Sequence, residues 1–451
     1  MRSFHRHLTP SFTAVALACT LLGTAPDSQA QAPQLPPPDA TNPVTLQLMQ
    51  GFPPAPDKVV RLANILKYPN VRWAAQHLRE LGPTATIWRG ASAPSALPAA
   101  PRALPDTLAF ADDKGAPTTL ADWQKATYTD ALLVLHRGRV VYERYHIGMQ
   151  PQQPHVLWSM SKSLVGLLVT ELIQEGAIDP SARIVRYLPE LANSAWADAT
   201  VQQTLDMTTG VKYAEDFADP TSGVFQYLAA AGLQPARPGS NGAKSMAEHL
   251  PTVQKDGEHG TAFAYKSVDT EVLGWLLQRV TGKSYATLLS ERIWSKLGTQ
   301  EDAYVFADAN GGQATSVGVN ATLRDLGRLG EMLRSNGRFN GQQIVSPATI
   351  AELRKGADPA QFSKAPGTAM RAGYSYHNQW WIPHDADGTF EAKGLMGQHI
   401  HINPAAELVV VKFSTHPVPN TAFTHALDRQ AFAALAKACL LYTSDAADDS
   451  L

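Results

Sequence analysis

Apolar and polar positions along the chain change their period twice. From Asp130 the signals are those of strands. Ala131-Leu132-Leu133-Val134-Leu135 is a continuous apolar run of strand length, Arg137-Gly138 is a turn, and Val140-Val141-Tyr142-Glu143-Arg144-Tyr145 completes a hairpin. A second hairpin lies near the other end, where Gly397 to Ile402 and Leu408 to Phe413 flank Asn403-Pro404-Ala405-Ala406. Between the two the period is helical. Ser159 to Glu175 is apolar on most sides and ends at Gly176, which predicts a buried helix. Ser267 is placed to cap a helix that runs to Thr281 and stops at Gly282, with Asp269 and Glu271 favourable in its first turn. Thr322 and Asp325 suit the start of another helix, through Arg334. Strands at both ends with helices between predict an α/β (α+β) fold. One antiparallel sheet is built from both parts of the chain and flanked by helices, and a helical region is inserted between them.

The flanks read differently. Arg2 and Arg6, the apolar run Phe12 to Leu22 and the small residues Ser28-Gln29-Ala30 form a signal-peptide pattern over residues 1–30. The chain is therefore expected to be exported, periplasmic or secreted. The run is too short to span a bilayer, so no stable membrane insertion is expected. Cys19 lies within the run, and Leu21 and Leu22 continue beyond it, which argues against a lipoprotein anchor. Residues 31–58 are rich in Pro, Gln and Ala, and 59–120 carry only short apolar patches. Together, 31–120 read as an N-terminal extension and packing arm, and 121–438 as the principal domain. At Cys439 an Ala-rich helical pattern gives way to an acidic stretch resembling a translated library adapter, so residues 439–451 read as a non-native tail.

Composition narrows the function. Hydrophobic residues are 44% and charged residues 17% of 451, enough apolar side chain for a sizeable core. The 38 Lys+Arg against 40 Asp+Glu leave no basic excess for nucleic acid and no acidic excess for storing cations. With two cysteines, one in the leader, no disulfide and no Cys metal site is expected in the mature domain. Gly-x-Ser-x-Gly, His-Glu-x-x-His and a Gly-rich phosphate loop are all absent from the sequence. Nothing in it fixes an oligomeric state.

The segment that carries chemistry is Val156-Leu157-Trp158-Ser159-Met160-Ser161-Lys162-Ser163. Ser159 and Lys162 are three apart, hence on one face of a helix beginning near Ser159. Leu164, Val165, Leu167, Leu168 and Val169 make that helix a buried one. A lysine in its first turn meets the positive end of the dipole and loses water, and both effects favour the neutral amine. Such an amine can take the proton of a serine hydroxyl. Ser-x-x-Lys arises by chance about once in a chain this long, and Ser159 is the only serine here with Lys at the third following position. Tyr265-Lys266-Ser267 stands at a loop–helix junction, where Tyr265 is either a proton-transfer group or a half-buried structural tyrosine. Lys393-Gly394-Leu395-Met396-Gly397-Gln398 leads into a strand, and its N–H groups either complete an oxyanion hole or make a simple bulge. His399 and His401 share one face of a strand. With no third ligand suggested, they read as a structural or solvent-facing pair, and no metal is expected.

In order and spacing these three segments resemble the active-site motifs of serine β-lactamases, penicillin-binding proteins and related esterases. Among these, the branch containing 6-aminohexanoate-dimer hydrolase is similar in Trp158 to Ser163, Met207-Thr208-Thr209-Gly210, Thr322-Leu323-Arg324-Asp325-Leu326, Asn378-Gln379-Trp380-Trp381 and Gly397-Gln398. The resemblance covers roughly residues 120–438. It implies a β-lactamase-type fold and a metal-free, cofactor-free, two-step hydrolysis of a small ester or amide substrate. Ser159 would be the nucleophile, Lys162 and Tyr265 would share the proton transfers, and the N–H groups of Ser159 and Leu395 would hold the oxyanion. Ser267, Asn320, Trp380 and Gly394 would line the substrate. Two departures matter. Ser267 replaces the Asn of Tyr-x-Asn, and Ala392-Lys393-Gly394 stands where Lys-Thr-Gly is usual, so the cation that holds a β-lactam carboxylate is out of place. Both favour an esterase or amidase. The alternatives are a D-alanyl peptidase or β-lactamase acting at the cell wall, and a receptor that keeps the fold and binds without turnover.

Overall fold

A computed structural model describes residues 35–365, 368–419 and 422–448. The expected signal peptide lies outside them. The chain divides into two units, residues 1–36 and 37–451. The second unit contains everything that follows.

Its main sheet has seven strands: β1 Thr129–His136, β2 Arg139–Tyr145, β3 Ser375–His377, β4 Trp380–Ile382, β5 Phe390–Gly394, β6 Gln398–Asn403 and β7 Leu408–Ser414. Their order is β3-β4-β5-β6-β7-β1-β2, antiparallel throughout. The two hairpins foreseen from opposite ends of the domain thus meet, β7 lying on β1 with Leu408 opposite His136 and Phe413 opposite Ala131. The apolar run in β1 is explained by burial on both faces. Ala131, Leu133 and Leu135 enter the large core beneath the helices, while Leu132 and Val134 enter a second core with Trp123 and Phe432. Fully burying one such side chain is worth roughly 1.5–3 kcal/mol.

Four helices matter for the site: α1 Met160–Gln174, α2 Ser267–Thr281, α3 Leu323–Arg334 and α4 Ala422–Asp448. Twelve of the 15 residues of α1 are buried, as its apolar sequence requires. Thr322 caps α3 by accepting from the Asp325 N–H. At α2 the expectation needs correction. Ser267 is the first helical residue, not the cap, and the preceding Lys266 makes no side-chain cap. The Ser267 N–H donates instead to Glu215 Oε1 at 2.7 Å, so a carboxylate from another segment satisfies this helix terminus.

Of the arm expected over 31–120, the residues from Pro37 onward belong to the second unit. Asn70–His77 is a helix, and Thr84–Ile87 pairs with Ala303–Phe306 in a small sheet that also holds Val319–Ala321 and His155–Val156. Arg72 is buried and reaches Asp130 at 3.2 Å, Thr415 Oγ1 at 3.2 Å and the Pro38 carbonyl at 2.8 Å. At the other end α4 does not break where the composition shifts. Cys439, placed in the non-native tail by its sequence, is buried in the core that holds Phe432 and Leu435. No helix among the described residues is long and apolar enough to cross a membrane.

Candidate active site

Trp158 has φ 47°, a left-handed conformation that costs a bulky residue on the order of 1–3 kcal/mol. It turns the chain sharply so that Ser159, at the N-cap of α1, begins the helix. The N–H groups of Met160, Ser161 and Lys162 are taken by the carbonyls of Leu157, Trp158 and Ser159. Lys162 Nζ lies 2.9 Å from Ser159 Oγ and 3.3 Å from the Ser316 carbonyl oxygen. The lysine is fully buried. Burial pushes its amine down to about 8, although Glu215 and Glu271 pull it up. The expected lowering is therefore present, with desolvation its largest cause.

Tyr265 approaches from the other side, its ring centroid 5.0 Å from Lys162 Nζ. Burial and the nearby Glu215 push its hydroxyl well above the ordinary range, against a hydrogen bond with Ser159. The Met207-Thr208-Thr209-Gly210 segment anchors this stretch. Ala264 N–H donates to the Met207 carbonyl, and Lys266 Nζ donates to the Thr209 carbonyl at 2.6 Å. The Thr209 hydroxyl and Trp196 indole then donate to buried Asp269, whose carboxyl burial pushes up to about 6.

Gly394 ends β5 against the loop before Ser159. A Cβ there would stand 2.3 Å from the Leu157 carbonyl oxygen, so only glycine allows the contact. The Leu395–Gly397 turn follows, with Met396 at φ 62°. Gln398, fully buried, braces it by donating to the carbonyls of Leu395 (3.2 Å) and Ser414 (2.6 Å) and accepting from the Ser414 N–H.

The other expected residues have partners of their own. Trp380 is not at the site. Strand alternation sends it into the core, its indole donating to the Ser163 carbonyl at 3.1 Å, and brings Trp381 onto Tyr265 with centroids 5.7 Å apart. Asn320 is buried in the small sheet, where its amide donates to the Gly318 carbonyl. Ser267 meets Glu215 through its backbone, as above. Lys393 points to the opposite side of β5 from Ala392 and lies 2.6 Å from Glu391 Oε2. His399 and His401 reach the same carboxylate at 3.3 and 2.9 Å. Glu391 is thus the third ligand-type group that the sequence did not suggest, and the three residues' ligand atoms fall within 4.8 Å of one another. With Lys393 on that carboxylate, the cluster is a Lys393–Glu391 ion pair flanked by His401 and by His399, whose ring burial pushes down to about 4, beneath Phe432 of α4. Glu215 and Ser316 carry no local pattern in the sequence, while Glu271, Trp381 and Gln398 stood in segments already singled out but without these roles.

The beta-lactamase family profile matches residues 111–435. The chain belongs to the beta-lactamase family. Within it, the chain is similar to the 6-aminohexanoate-dimer hydrolase of Paenarthrobacter ureafaciens, 36% identical over 80% of this chain and 89% of the relative. Among solved structures it resembles a candidate 6-aminohexanoate-dimer hydrolase from Bacillus anthracis, with a TM-score of 0.77, 32% identity and coverage of 85% of this chain and 97% of that one. At 17% identity and a TM-score of 0.52, EstCE1, a hydrolase with promiscuous acyltransferase activity, shares the fold over 68% of this chain and 97% of its own. This beta-lactamase-family chain is a serine hydrolase.

Proposed function

We propose that the protein hydrolyses small ester or amide substrates through an acyl-enzyme on Ser159. The observation that carries this is the fully buried Lys162 amine, 2.9 Å from the Ser159 hydroxyl. Ser159 Oγ bonds to the substrate carbonyl carbon as its proton passes to Lys162. The N–H groups of Ser159 and Leu395 take the oxyanion. Tyr265, held protonated by burial, gives its proton to the departing alcohol or amine and takes one back from the Lys162 ammonium, which returns the lysine to the neutral amine. Lys162, whose amine burial lowers to about 8 so that a fraction of it is neutral at ordinary pH, is the acylation base. Water then repeats the sequence on the acyl-enzyme and frees the acid.

The likeness to 6-aminohexanoate-dimer hydrolase supports small linear substrates. The position of Lys393, on the Glu391 carboxylate, weighs against β-lactams. Intact mass after a fluorophosphonate probe should show one adduct, absent in Ser159→Ala. p-Nitrophenyl esters of short acids should be cleaved far faster than penicillins. Equal labelling of Ser159→Ala would refute the nucleophile, and comparable kcat/KM for esters and penicillins would refute the substrate class.

A further inference from the structure

Two carboxylates face Lys162 from different elements: Glu215, in the loop beyond Gly210, and Glu271, on α2. Glu271 is 3% exposed, and among the described residues no cation lies within ion-pair distance of it. A buried carboxylate without a cation needs hydrogen bonds to be tolerated. Four donors supply them. Oε1 accepts from the Ser316 N–H at 3.0 Å and the Tyr227 hydroxyl at 3.1 Å. Oε2 accepts from the Thr315 N–H at 3.0 Å and its hydroxyl at 2.8 Å. The carboxylate therefore clamps the backbone of Thr315 and Ser316. The carbonyl of that same Ser316 is the second acceptor facing Lys162 Nζ.

A neutral amine has two N–H groups and one lone pair. If one N–H is committed to the Ser316 carbonyl, rotation about the last side-chain bond is restricted, and the lone pair can be directed at Ser159 Oγ. We propose that Glu271 is a positioning residue for Lys162. It fixes the Thr315–Ser316 turn that receives the amine, and its negative charge keeps a deeply buried lysine able to hold, as well as accept, a proton. This rests on the reading of Lys162 as the base. The other groups around the amine are Ser159, Tyr265 and Glu215. Those around Glu271 are Thr315, Ser316, Tyr227 and Tyr285, and burial keeps both tyrosines protonated.

The test is the rate of fluorophosphonate labelling of the full chain against pH. A midpoint on the pH axis does not depend on how much protein is active, so partial misfolding leaves it readable. Wild type should show a rise with a midpoint near the Lys162 value, and Lys162→Ala should lose it. Glu271→Gln removes the charge, and its midpoint should fall by about one pH unit. Glu271→Asp keeps the charge but draws it back from the turn. It should hold the wild-type midpoint with a plateau about tenfold lower. An unchanged or raised midpoint in Glu271→Gln overturns the proposal whatever its plateau. Should that variant not fold, a wild-type plateau in Glu271→Asp overturns it. A pH rise that survives in Lys162→Ala sinks the base reading itself, and the proposal with it, and is distinguishable from both other failures.

Discussion

Lys162 binds its proton less tightly in the folded chain than an ordinary lysine, about 8 against 10.5. The sign of the consequence follows from linkage. Between those two values the unfolded chain holds more protons, so this residue's contribution to stability rises with pH across that window. Below about pH 8 its full cost is present, about 3 kcal/mol. Lys162→Met should therefore be inactive yet more stable than wild type at pH 7, by up to about 3 kcal/mol less its lost hydrogen bond. The advantage should shrink by pH 10. Urea unfolding at both pH values checks this, and a variant less stable at pH 7 would contradict it. Lys162→Arg keeps a charge but cannot supply a neutral base, and should be about as inactive as Ser159→Ala. The neighbouring tryptophans separate stability from binding in the same way. Trp380→Ala should cost roughly 3–5 kcal/mol through its cavity, with the kinetics of the folded fraction little changed. Trp381→Ala, which strips the ring stacked on Tyr265, should raise KM for aryl esters. Matched effects of both variants on KM would contradict the assignment of the two faces.

At the scale of elements, β5 must meet the Ser159 loop closely enough that Gly394 has no room for a methyl. Gly394→Ala should displace the Leu395 turn and lower kcat about a hundredfold, the cost of a misplacement near 1 Å. A Tm change within a few degrees would locate the effect in the site. What was legible in the sequence divides along the range of the contacts involved. Ser159 and Lys162 were readable because one helical turn brings them together, and α1, β1 and β7 because long apolar runs carry their own period. β3 and β4 have three residues each, too few to show alternation, so nothing told Trp380 from Trp381. Ser267 has the chemistry of a cap, but a carboxylate 52 residues away already occupies that terminus. Gln398 stood in a motif that pointed to the turn, yet its bracing role depends on Ser414 across the hairpin. Glu271 was read as an ordinary first-turn acid because its partners, Thr315 and Ser316, lie 44 and 45 residues further on.

Across the whole chain, the two ends test what the folded unit requires. The compact unit begins at Pro37 and includes Cys439 in its second core. Deleting 440–451 should leave Tm and activity unchanged, whereas deleting 439–451 also takes a buried side chain from beside Leu435 and should cost on the order of 1 kcal/mol. Equal Tm loss from both deletions would show that the residues after Cys439 contribute to the fold. At the other end we propose that the chain is exported and that cleavage follows Ala30. Arg2 and Arg6 supply the positive start, Phe12 to Leu22 the apolar run and Ser28-Gln29-Ala30 the small residues at the cut. All of these precede Pro37, so removing them leaves the 37–451 unit whole. N-terminal sequencing of protein from the periplasm or medium should begin at Gln31, and a chain expressed from Gln31 should match its Tm and its kcat on p-nitrophenyl esters. Replacing Leu21 and Leu22 by Arg should keep the chain in the cytoplasm with Met1 or Arg2 as its first residue. An unaltered chain recovered from the cytoplasm with that same N-terminus, and absent from the exported fractions, would refute export.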